Sequence, residues 1–548
     1  MRCSRSYPGS GWFRSPAADQ RFFTFRSVAR PVLLLLVLAA VLGTVGYALV
    51  RGDEGHTRAA TAPAARPPVV VIVFDEFPAD TLLTPGGKID SARFPNFAAL
   101  AQTSTWFRNG HTVYDSTFKA VPAILDARLP RPRTAADVRS HQPSVYHLMN
   151  KLGYDVIRVE SGSAVCPPWI CADGRTRRPG VLSRLAGGGR PARLHRWTGA
   201  LRRREAPTFY FHHALLPHEP WLYLPSGQQA RPAGEDPVPG INRPGGFHLP
   251  GLTDHNQLRH LLQVGFVDHE LGLIMRRMRR TKLFDEAVFI VLADHGYSFD
   301  TNVASRRLVR EGSIAEIAPV PFFVKVPGQT KGAVDDSLVR SIDVVPTIAQ
   351  QLDTEVYWRH DGHSAFSDET EERENVTLER REFDGMVTIG RDDFEAAREQ
   401  LRRRRAAKFG TGAQSRRAFG DPWASAYRIG PHQELLDRRV RRSDVARSSS
   451  IRTQVANEQL LANVDRQGPL LPTRVAGRLK GGLPGEVRDL ALALNGRVAA
   501  VGESFRLRGR SAEFFSLMVP NSALRQGPDR VELFQVQRNG TLKLLARD

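Results

Sequence analysis

Residues 289–296 of this 548-residue chain read FIVLADHG, and this stretch decides the fold. Its first five residues are apolar and include β-branched side chains, which indicates a strand buried on both faces of a sheet. Asp294 and His295 follow directly. Ligands of open α/β sheets collect beyond the carboxyl ends of the strands, so these two side chains are placed to bind a metal or to move protons. The alternative is that Asp294 caps the next helix and His295 lies on the surface.

A second strand, early in the chain, ends in a similar way. Residues 68–74 read PVVVIVF, a run typical of a central strand, and Asp75 and Glu76 come next. Two carboxylates at the end of a strand, together with an imidazole, suit zinc, manganese or magnesium. The alternative for the two acids is a helix N-cap followed by an acid that the helix dipole favours.

Two residues with hydroxyl groups lie at the start of a predicted helix between these two strands. Residues 114–125 read YDSTFKAVPAIL, so Ser116 and Thr117 come just before its apolar part. A hydroxyl there meets free backbone N–H groups and the positive end of the helix dipole. That environment suits an oxygen nucleophile that attacks an anionic ester, although Ser and Thr are also ordinary N-cap residues.

Length and composition limit the number of domains and the kinds of partner that the chain can have. The chain is long enough for two or three domains, and its net charge is +20. The arginines are scattered and no nucleic-acid motif occurs, so we interpret the charge as suited to an envelope surface and expect no nucleic-acid partner. Cys166 and Cys171 either close one small loop in an oxidising compartment or remain free thiols.

The N-terminal segment predicts a membrane anchor. Residues 31–50 carry no charge and have the length needed to cross a bilayer, and six arginines precede them against one acid. The positive-inside rule then places the N-terminus in the cytoplasm and the rest of the chain outside. We expect a single-pass plasma-membrane protein with a basic tail at 1–30, the anchor at 31–50 and a linker at 51–67. A cleaved signal peptide is the alternative.

The order of these motifs resembles the alkaline phosphatase/sulfatase superfamily, and within it the membrane-anchored, lipoteichoic-acid-synthase-like branch. A strand that ends in paired acids is followed by FPNFAAL at 94–100, by the helix that Thr117 opens, and by the strand that ends in ADHG. Further family-like segments are FYFHHALLPHEPW at 209–221, VPFFVKVPG at 320–328 and SIDVVPTI at 341–348. The resemblance covers about 68–366. It implies an α/β, alkaline-phosphatase-like sandwich with a mostly parallel central sheet.

The resemblance also implies the site. Thr117 aligns with the family nucleophile, while Lys119 and His218 would stabilise the oxygens of the ester or protonate the leaving group. The implied metal is Mn²⁺ or Mg²⁺, with Zn²⁺ or Ca²⁺ as alternatives. Its implied ligands are Asp75, Glu76, Thr117, Asp294 and His295.

The residue at the nucleophile position favours phosphoesters. Sulfatases of this family convert Cys or Ser within a Cys/Ser-x-Pro-x-Arg motif to formylglycine, whereas residues 117–121 read TFKAV. Thr at this position resembles the phosphodiesterase and phosphoglycerol-transferase branches. We therefore predict an extracytoplasmic, metal-dependent phosphoryl- or phosphoglycerol-type transferase or phosphodiesterase that acts on an anionic envelope lipid or glycan. The alternatives are a sulfuric ester hydrolase and a non-catalytic binding or scaffold protein with a sulfatase fold.

The C-terminal part predicts two further regions after the catalytic domain at 68–366. Residues 367–470 are rich in charge and predict a partly ordered linker that contains an exposed helix near 392–408. Residues 471–548 alternate short apolar runs with turns, and Asn495-Gly496 is a strong hairpin signal. They predict a small β-sandwich-like domain.

Overall fold

The described part of the chain begins beyond the predicted anchor. The computed structural model describes residues 66–171, 189–234, 236–241, 249–302, 305–381, 383–482 and 485–548, without the side chains of 447 and 448. Ala65–Asp548 group as one compact unit by their contacts. The predicted tail at 1–30, the anchor at 31–50 and nearly all of the linker at 51–67 lie outside the described residues.

The predicted location at the plasma membrane is corrected. Within the described ranges, no helix combines the length and the apolar character that crossing a bilayer requires. The helix Pro250–Arg280 has the length, with 31 residues, but it carries histidine, aspartate, glutamate and arginine along its course. No described helix therefore supports the single-pass membrane location.

A seven-stranded, mostly parallel sheet forms the centre of the fold, as the sequence predicts. Its strand order is β3-β4-β1-β5-β6-β2-β7. Strands β3, β4, β1 and β5 are mutually parallel, while β6 is antiparallel to both β5 and β2. The strands are β1 (Val69–Asp75), β2 (Thr105–Phe107), β3 (Asp155–Val159), β4 (Thr208–Pro217), β5 (Val288–Ala293), β6 (Phe322–Lys325) and β7 (Ala333–Asp335).

Register places the two motif-bearing strands side by side. All seven residues of β1 and all six of β5 are buried, as expected for strands covered on both faces. Phe74 pairs with Ala293 across the two parallel strands. Asp75 and Asp294, each one residue further along, therefore leave the sheet at the same carboxyl edge.

Helices cover both faces of this sheet. The alternate residues Val70 and Ile72 of β1 pack in a core with the long helix α5, whereas Val69 and Val71 pack in a second core with α2 and α8. The helices are α1 (Pro95–Ala101), α2 (Thr117–Asp126), α3 (Val145–Lys151), α4 (Arg190–Ala200), α5 (Pro250–Arg280), α6 (Leu283–Glu286), α7 (Ile314–Ile317), α8 (Val344–Gln351), α9 (Asp368–Glu371), α10 (Arg391–Phe409) and α11 (Gly412–Phe419).

The predicted charged linker contains regular structure. Residues 367–470 hold α9, α10, α11, a ribbon of β8 (Asn375–Glu379) and β9 (Met386–Gly390), and β10 (Val445–Val455). The helix predicted near 392–408 is present, but one of its faces is buried. Its Arg398 is 0% exposed and donates to both carboxylate oxygens of Asp80, at 2.8 and 3.3 Å. Because Asp80 lies five residues after Asp75, α10 braces the region next to the end of β1.

Replacing Arg398 with alanine is expected to lower the free energy of unfolding by about 3–5 kcal/mol, because the buried Asp80 carboxylate loses its main partner. Burial acts to raise the pKa of Asp80, but Arg398 and Arg402 outweigh it and lower that pKa below its ordinary value. The contribution of the pair is thus present above about pH 4 and is lost as the pH falls further. Urea unfolding of the wild type and of the alanine variant at pH 7 measures the loss in free energy of unfolding. The same measurement at acid pH shows how far that loss decreases.

Arg403→Ala is the matched control. Arg403 is 70% exposed and pairs with Glu399 on the same helix, so its removal should cost less than about 0.5 kcal/mol. Equal losses for the two variants would contradict the bracing role of Arg398.

A single eight-stranded sheet follows, in place of the predicted sandwich of two sheets. Its order is β13-β12-β16-β17-β10-β11-β15-β14. The β-rich character and the hairpin at Asn495-Gly496 agree with the sequence analysis. The difference arises from β10, which pairs with β17 on one side and with β11 on the other and so joins two groups of strands. The remaining strands are β11 (Arg474–Lys480), β12 (Asp489–Leu494), β13 (Arg497–Glu503), β14 (Phe505–Arg506), β15 (Glu513–Met518), β16 (Val531–Val536) and β17 (Leu542–Arg547).

Candidate active site

Three buried side chains converge at the carboxyl edge of β1 and β5. Asp75, Asp294 and His295 each offer one ligand atom, and these atoms all lie within 4.8 Å of one another. Thr117, the first residue of α2, places its hydroxyl 3.3 Å from Asp75 Oδ1 and 3.3 Å from His295 Nε2. The structure thus brings together four of the five residues predicted to bind a metal. We call Asp75, Asp294 and His295 the acid-imidazole group.

Hydrogen bonds fix one oxygen of the Asp294 carboxylate, and the other oxygen has none in the described part of the chain. Its Oδ1 accepts hydrogen bonds from the backbone N–H of His295 at 2.6 Å and of Glu76 at 3.2 Å. Its Oδ2 is buried without a hydrogen-bond partner in the described part of the chain. Burial and the nearby Asp75 raise the pKa of Asp294 well above its ordinary value. An ionised carboxylate in this position therefore calls for a cation.

The tautomer of His295 follows from its contacts. Nδ1 lies 2.8 Å from the carbonyl oxygen of Gly296, which can only accept, so Nδ1 carries the hydrogen and Nε2 presents its lone pair to the site. Burial lowers the pKa of His295 to about 3, which keeps the ring neutral. A neutral imidazole with one nitrogen bound to a carbonyl is the usual form of a metal-binding histidine. Two carboxylates, this nitrogen and a hydroxyl fit a divalent cation such as manganese, magnesium or zinc.

Glu76, the fifth predicted ligand, is not part of the set of atoms within 4.8 Å of one another, and one of its oxygens binds two arginines. Its Oε1 accepts from Arg307 Nε and, at 3.3 Å, from Arg306 Nε. Burial acts to raise the pKa of Glu76, but Arg306 and Arg307 outweigh it and lower that pKa well below its ordinary value. The residue has a φ of +59°, a left-handed conformation that is unusual for glutamate, and this turns the chain sharply after Asp75. Glu76 thus holds the arginines in this structure.

His218, predicted to stabilise the ester oxygens or to protonate the leaving group, makes contacts that argue against the second of these roles. Its Nδ1 donates to the carbonyl oxygen of Glu219 at 2.6 Å, and its Nε2 accepts from the guanidinium of Arg307. Burial lowers the pKa of His218 to about 4, so the ring is neutral near pH 7 and both nitrogens are engaged. In this arrangement the residue orients Arg307 and has no proton free for a leaving group.

Lys119 does not reach the site. Its amine donates to the carbonyl oxygens of Arg131 at 2.5 Å and of Thr134 at 2.8 Å, and it lies over the ring of Phe383. The reason is helical geometry, since residues two apart on a helix do not share a face. Thr117 points toward the acid-imidazole group, so Lys119 points elsewhere.

Replacing Lys119 with methionine is therefore expected to change kcat and KM by less than about threefold, because general acid–base groups that do act are worth about 10²–10⁴-fold. Steady-state kinetics measures this, with Lys151→Met on α3 as the control for loss of one lysine. If the variant keeps its fold but turns over substrate at least about 100-fold more slowly, the catalytic role that the sequence resemblance implies is restored.

Three arginines and one histidine near the site were not predicted from the sequence. Arg306 and Arg307 bind Glu76, while buried Arg190 donates to the carbonyl oxygens of His218 and Glu219 at 2.6 and 2.7 Å. His213 on β4 is 0% exposed, and its Nε2 lies 3.8 Å from Asp294 Oδ2. No spacing singles the arginines out in a chain with 77 basic residues. Only the position of His213 on a buried strand could have indicated it.

A cross-linked loop closes one side of the site. Cys166 and Cys171 form a disulfide with Cα atoms 6.2 Å apart, which decides between the two alternatives for these cysteines. The carboxylate of Glu160 accepts from the backbone N–H of Val165 and of Cys166, at 2.7 and 3.1 Å, and so fixes the loop start. At Gly162 a Cβ atom would lie 2.7 Å from Thr117 Cγ2 and 3.3 Å from His213 Cε1. The segment that leads into this loop therefore packs directly on Thr117 and needs glycine at position 162.

A cavity of about 490 Å³ lies on the other side of the Glu76 main chain. His260 forms part of its wall, and His260 Nε2 lies 3.1 Å from the carbonyl oxygen of Glu76. Neither Thr117 nor any member of the acid-imidazole group lines it. We therefore do not assign this cavity to the reacting ester.

Comparison with known proteins supports the resemblance. Residues 192–354 match the sulfatase family model, which confirms the predicted likeness to the alkaline phosphatase/sulfatase superfamily without singling out the lipoteichoic-acid-synthase-like branch. A protein named sulfatase from Formosa agariphila is 26% identical over 111 residues, which are 19% of this chain and 20% of that protein. The matched stretch thus spans about a fifth of the length of this curated relative.

Solved structures that resemble this chain include a phosphonate monoester hydrolase and a sulfatase. A phosphonate monoester hydrolase from Silicibacter pomeroyi is 18% identical, with 57% of this chain and 79% of that chain covered and a TM-score of 0.40. A 2-O GAG sulfatase is 13% identical, with coverage of 61% and 87% and a TM-score of 0.45. A protein in the alkaline phosphatase superfamily from Vibrio parahaemolyticus is 15% identical, with coverage of 60% and 76% and a TM-score of 0.38. At these scores the likeness supports no conclusion about the reaction.

Proposed function

We propose that this sulfatase-like chain is a metal-dependent enzyme that cleaves or transfers the phosphoryl-type group of an anionic ester, with Thr117 as the nucleophile. The observation that carries the proposal is the position of the Thr117 hydroxyl, 3.3 Å from both Asp75 Oδ1 and His295 Nε2 at the start of α2. Thr117 is not the cap of this helix, because Ser116 occupies the N-cap position. The Thr117 hydroxyl instead faces the buried acid-imidazole group.

The chain's own residues suggest the course of the reaction. Asp75 Oδ1 accepts the hydrogen bond of the Thr117 hydroxyl and so directs its oxygen. As Asp75 takes the hydroxyl proton, that oxygen forms a bond to phosphorus, the bond from phosphorus to the leaving oxygen breaks, and the leaving oxygen takes a proton from water. A water or an acceptor hydroxyl then takes the group from Thr117, whose oxygen regains a proton. A divalent cation held by Asp75, Asp294 and His295 would neutralise charge on the ester and lower the pKa of the Thr117 hydroxyl.

Arginine supplies the remaining positive charge beside this centre. Arg307 is held between Glu76 and His218, and Arg306 between Glu76 and Glu219. Such fixed guanidinium groups are preorganised and suit the planar and tetrahedral oxygen sets of phosphoesters. They support an anionic substrate, for which we propose the phosphoester of a glycan or of a lipid headgroup.

A sulfuric ester hydrolase is the second candidate, because the family model that matches residues 192–354 is that of sulfatases. Thr117 argues against this candidate, because formylglycine formation requires a cysteine or a serine at this position. The two candidates therefore differ in the chemical state of one side chain.

The test uses the purified chain with Mn²⁺, Mg²⁺ or Zn²⁺ and two chromogenic substrates, bis(p-nitrophenyl) phosphate and p-nitrophenyl sulfate. Preferred turnover of the phosphodiester with unmodified Thr117, checked by mass spectrometry, supports the proposal. Preferred release of sulfate supports the second candidate. Cation binding without turnover of either ester contradicts both and favours a binding or scaffold role.

A further inference from the structure

His213 is a buried side chain that the reaction described so far does not use. It lies on β4 opposite Val73 of β1, with 0% exposure, and neither of its ring nitrogens has a hydrogen-bond partner among the described residues. One nitrogen of a neutral imidazole must donate and the other must accept. Leaving both without partners in a buried place costs about 1–3 kcal/mol for each group. The arrangement therefore implies a ligand that the protein chain does not provide.

The open side of His213 faces the reaction centre. Its Nε2 lies 3.8 Å from Asp294 Oδ2, which is itself buried and without a partner within the described ranges. The other edge of the ring faces Gly162, where an added Cβ would be 3.3 Å from Cε1 and 3.6 Å from Nδ1. That same Cβ would touch the methyl group of Thr117 at 2.7 Å. His213 and the proposed nucleophile thus share one wall of the site.

Two simpler explanations fit poorly. A direct hydrogen bond to Asp294 would need about 2.7–3.2 Å, and the 3.8 Å separation exceeds that range. A fourth protein ligand on the same cation would place its nitrogen close to every atom of the acid-imidazole group. The set of atoms within 4.8 Å of one another contains Asp75, Asp294 and His295 without His213. His213 therefore lies outside the set of clustered ligand atoms but beside it, next to Asp294 and Thr117.

We propose that His213 is a further catalytic residue that binds the reacting ester, with its Nε2–H donating to an oxygen of the transferred group that does not contact the cation. This inference rests on the proposed function of the site and adds a substrate contact to it. The hydrogen bond from an uncharged donor at this point becomes stronger as negative charge builds on the oxygen. This stabilisation requires no proton transfer.

The strand offers a matched control. Successive residues of a strand point to opposite faces, so His212 lies on the other side of β4. There its ring packs on Trp197 with centroids 5.1 Å apart, and it is also buried. His212→Leu removes the same side chain from the same strand without touching the reaction centre.

The experiment measures the binding of inorganic phosphate to the cation-loaded chain by calorimetry, together with cation content and steady-state kinetics. We expect His213→Leu to keep its cation while the Kd for phosphate rises about 10-fold or more and kcat falls about 10²-fold, the usual cost of losing one oxyanion donor. His213→Gln, which can place an amide N–H near the position of Nε2, should recover phosphate binding to within about fivefold, whereas His213→Asn should not. His212→Leu should bind phosphate like the wild type.

Phosphate affinity that is unchanged in His213→Leu overturns the inference, and so does a loss of cation that matches the loss of phosphate. If the leucine variant fails to fold, the glutamine and asparagine variants decide, and equal phosphate affinity in those two overturns it. A wild-type chain that binds phosphate through His213 but turns over no ester refutes the proposed function while supporting the phosphate contact. A wild type that does not bind phosphate overturns the contact itself.

Discussion

Replacing Thr117 with alanine is expected to lower kcat for a phosphodiester by at least about 10³-fold, because the reaction loses its nucleophile. The hydroxyl is a poor nucleophile by itself and depends on its surroundings. Here it stands between Asp75 and His295 at the positive end of α2, within a buried site. Alanine keeps the helix start and removes only the oxygen and the methyl group. Steady-state kinetics over a range of substrate concentrations gives the loss in kcat.

Thr117→Ser is the control that keeps the oxygen. We expect it to retain activity within about tenfold, because the hydroxyl and its partners remain and only the methyl group that packs on the Gly162 loop is lost. Rapid quenching of the wild type followed by peptide mass spectrometry should find on Thr117 a phosphoryl group that still carries the second ester substituent of the diester, because only one leaving group departs in the first step. An alanine variant with more than a tenth of wild-type activity would exclude Thr117 as the nucleophile.

Replacing Asp294 with asparagine should remove most of the stabilisation that a divalent cation gives. Loss of a direct carboxylate ligand is expected to weaken cation binding at least about 100-fold. At a cation concentration about 100 times the wild-type Kd, the wild type gains about 2.7 kcal/mol of unfolding free energy, and the variant should gain at most about 0.4 kcal/mol. Thermal and urea unfolding with and without Mn²⁺ measures both proteins.

The same substitution should leave the cation-free protein at least as stable as the wild type. Burial and Asp75 raise the pKa of Asp294, so its ionised form is costly in the folded chain unless a cation is bound. Asparagine keeps the oxygen that accepts the backbone N–H of Glu76 and His295, and it carries no charge. Asp285→Asn, at an exposed position just before β5, is the control. A variant that still gains stability from Mn²⁺ would show that the cation binds elsewhere.

The central sheet and the core of the site could be predicted because their signals are local. The apolar runs of β1 and β5 indicate buried strands, and the abrupt change to Asp75 and Asp294 marks where each strand ends. Parallel neighbours then bring both ends to one edge. The pattern of a hydroxyl at a helix start indicates Ser116 and Thr117, and the resemblance to the superfamily then selects Thr117.

The remaining features depend on contacts between distant parts of the chain. Glu76 and its neighbour Asp75 look alike in sequence, but Arg306 and Arg307, about 230 positions later, bind one oxygen of Glu76. Arg398 reaches Asp80 across a separation of 318 positions, so α10 has the pattern of a solvated helix until its partner is known. Likewise, nothing within β10 indicates that it joins two groups of strands into one sheet.

The shared core of the two sheets has a practical consequence for expression. Leu258 and Leu262 of α5 belong to the same apolar cluster as Val475 of β11, Leu490 of β12 and Leu533 of β16. A chain cut at residue 366, where the resemblance to the superfamily ends, would leave the α5 side of that cluster in water. Large exposed apolar surfaces promote aggregation. Recombinant work on the catalytic centre should therefore keep the chain through Asp548, and a poor yield of the shortened form would say nothing against the enzyme.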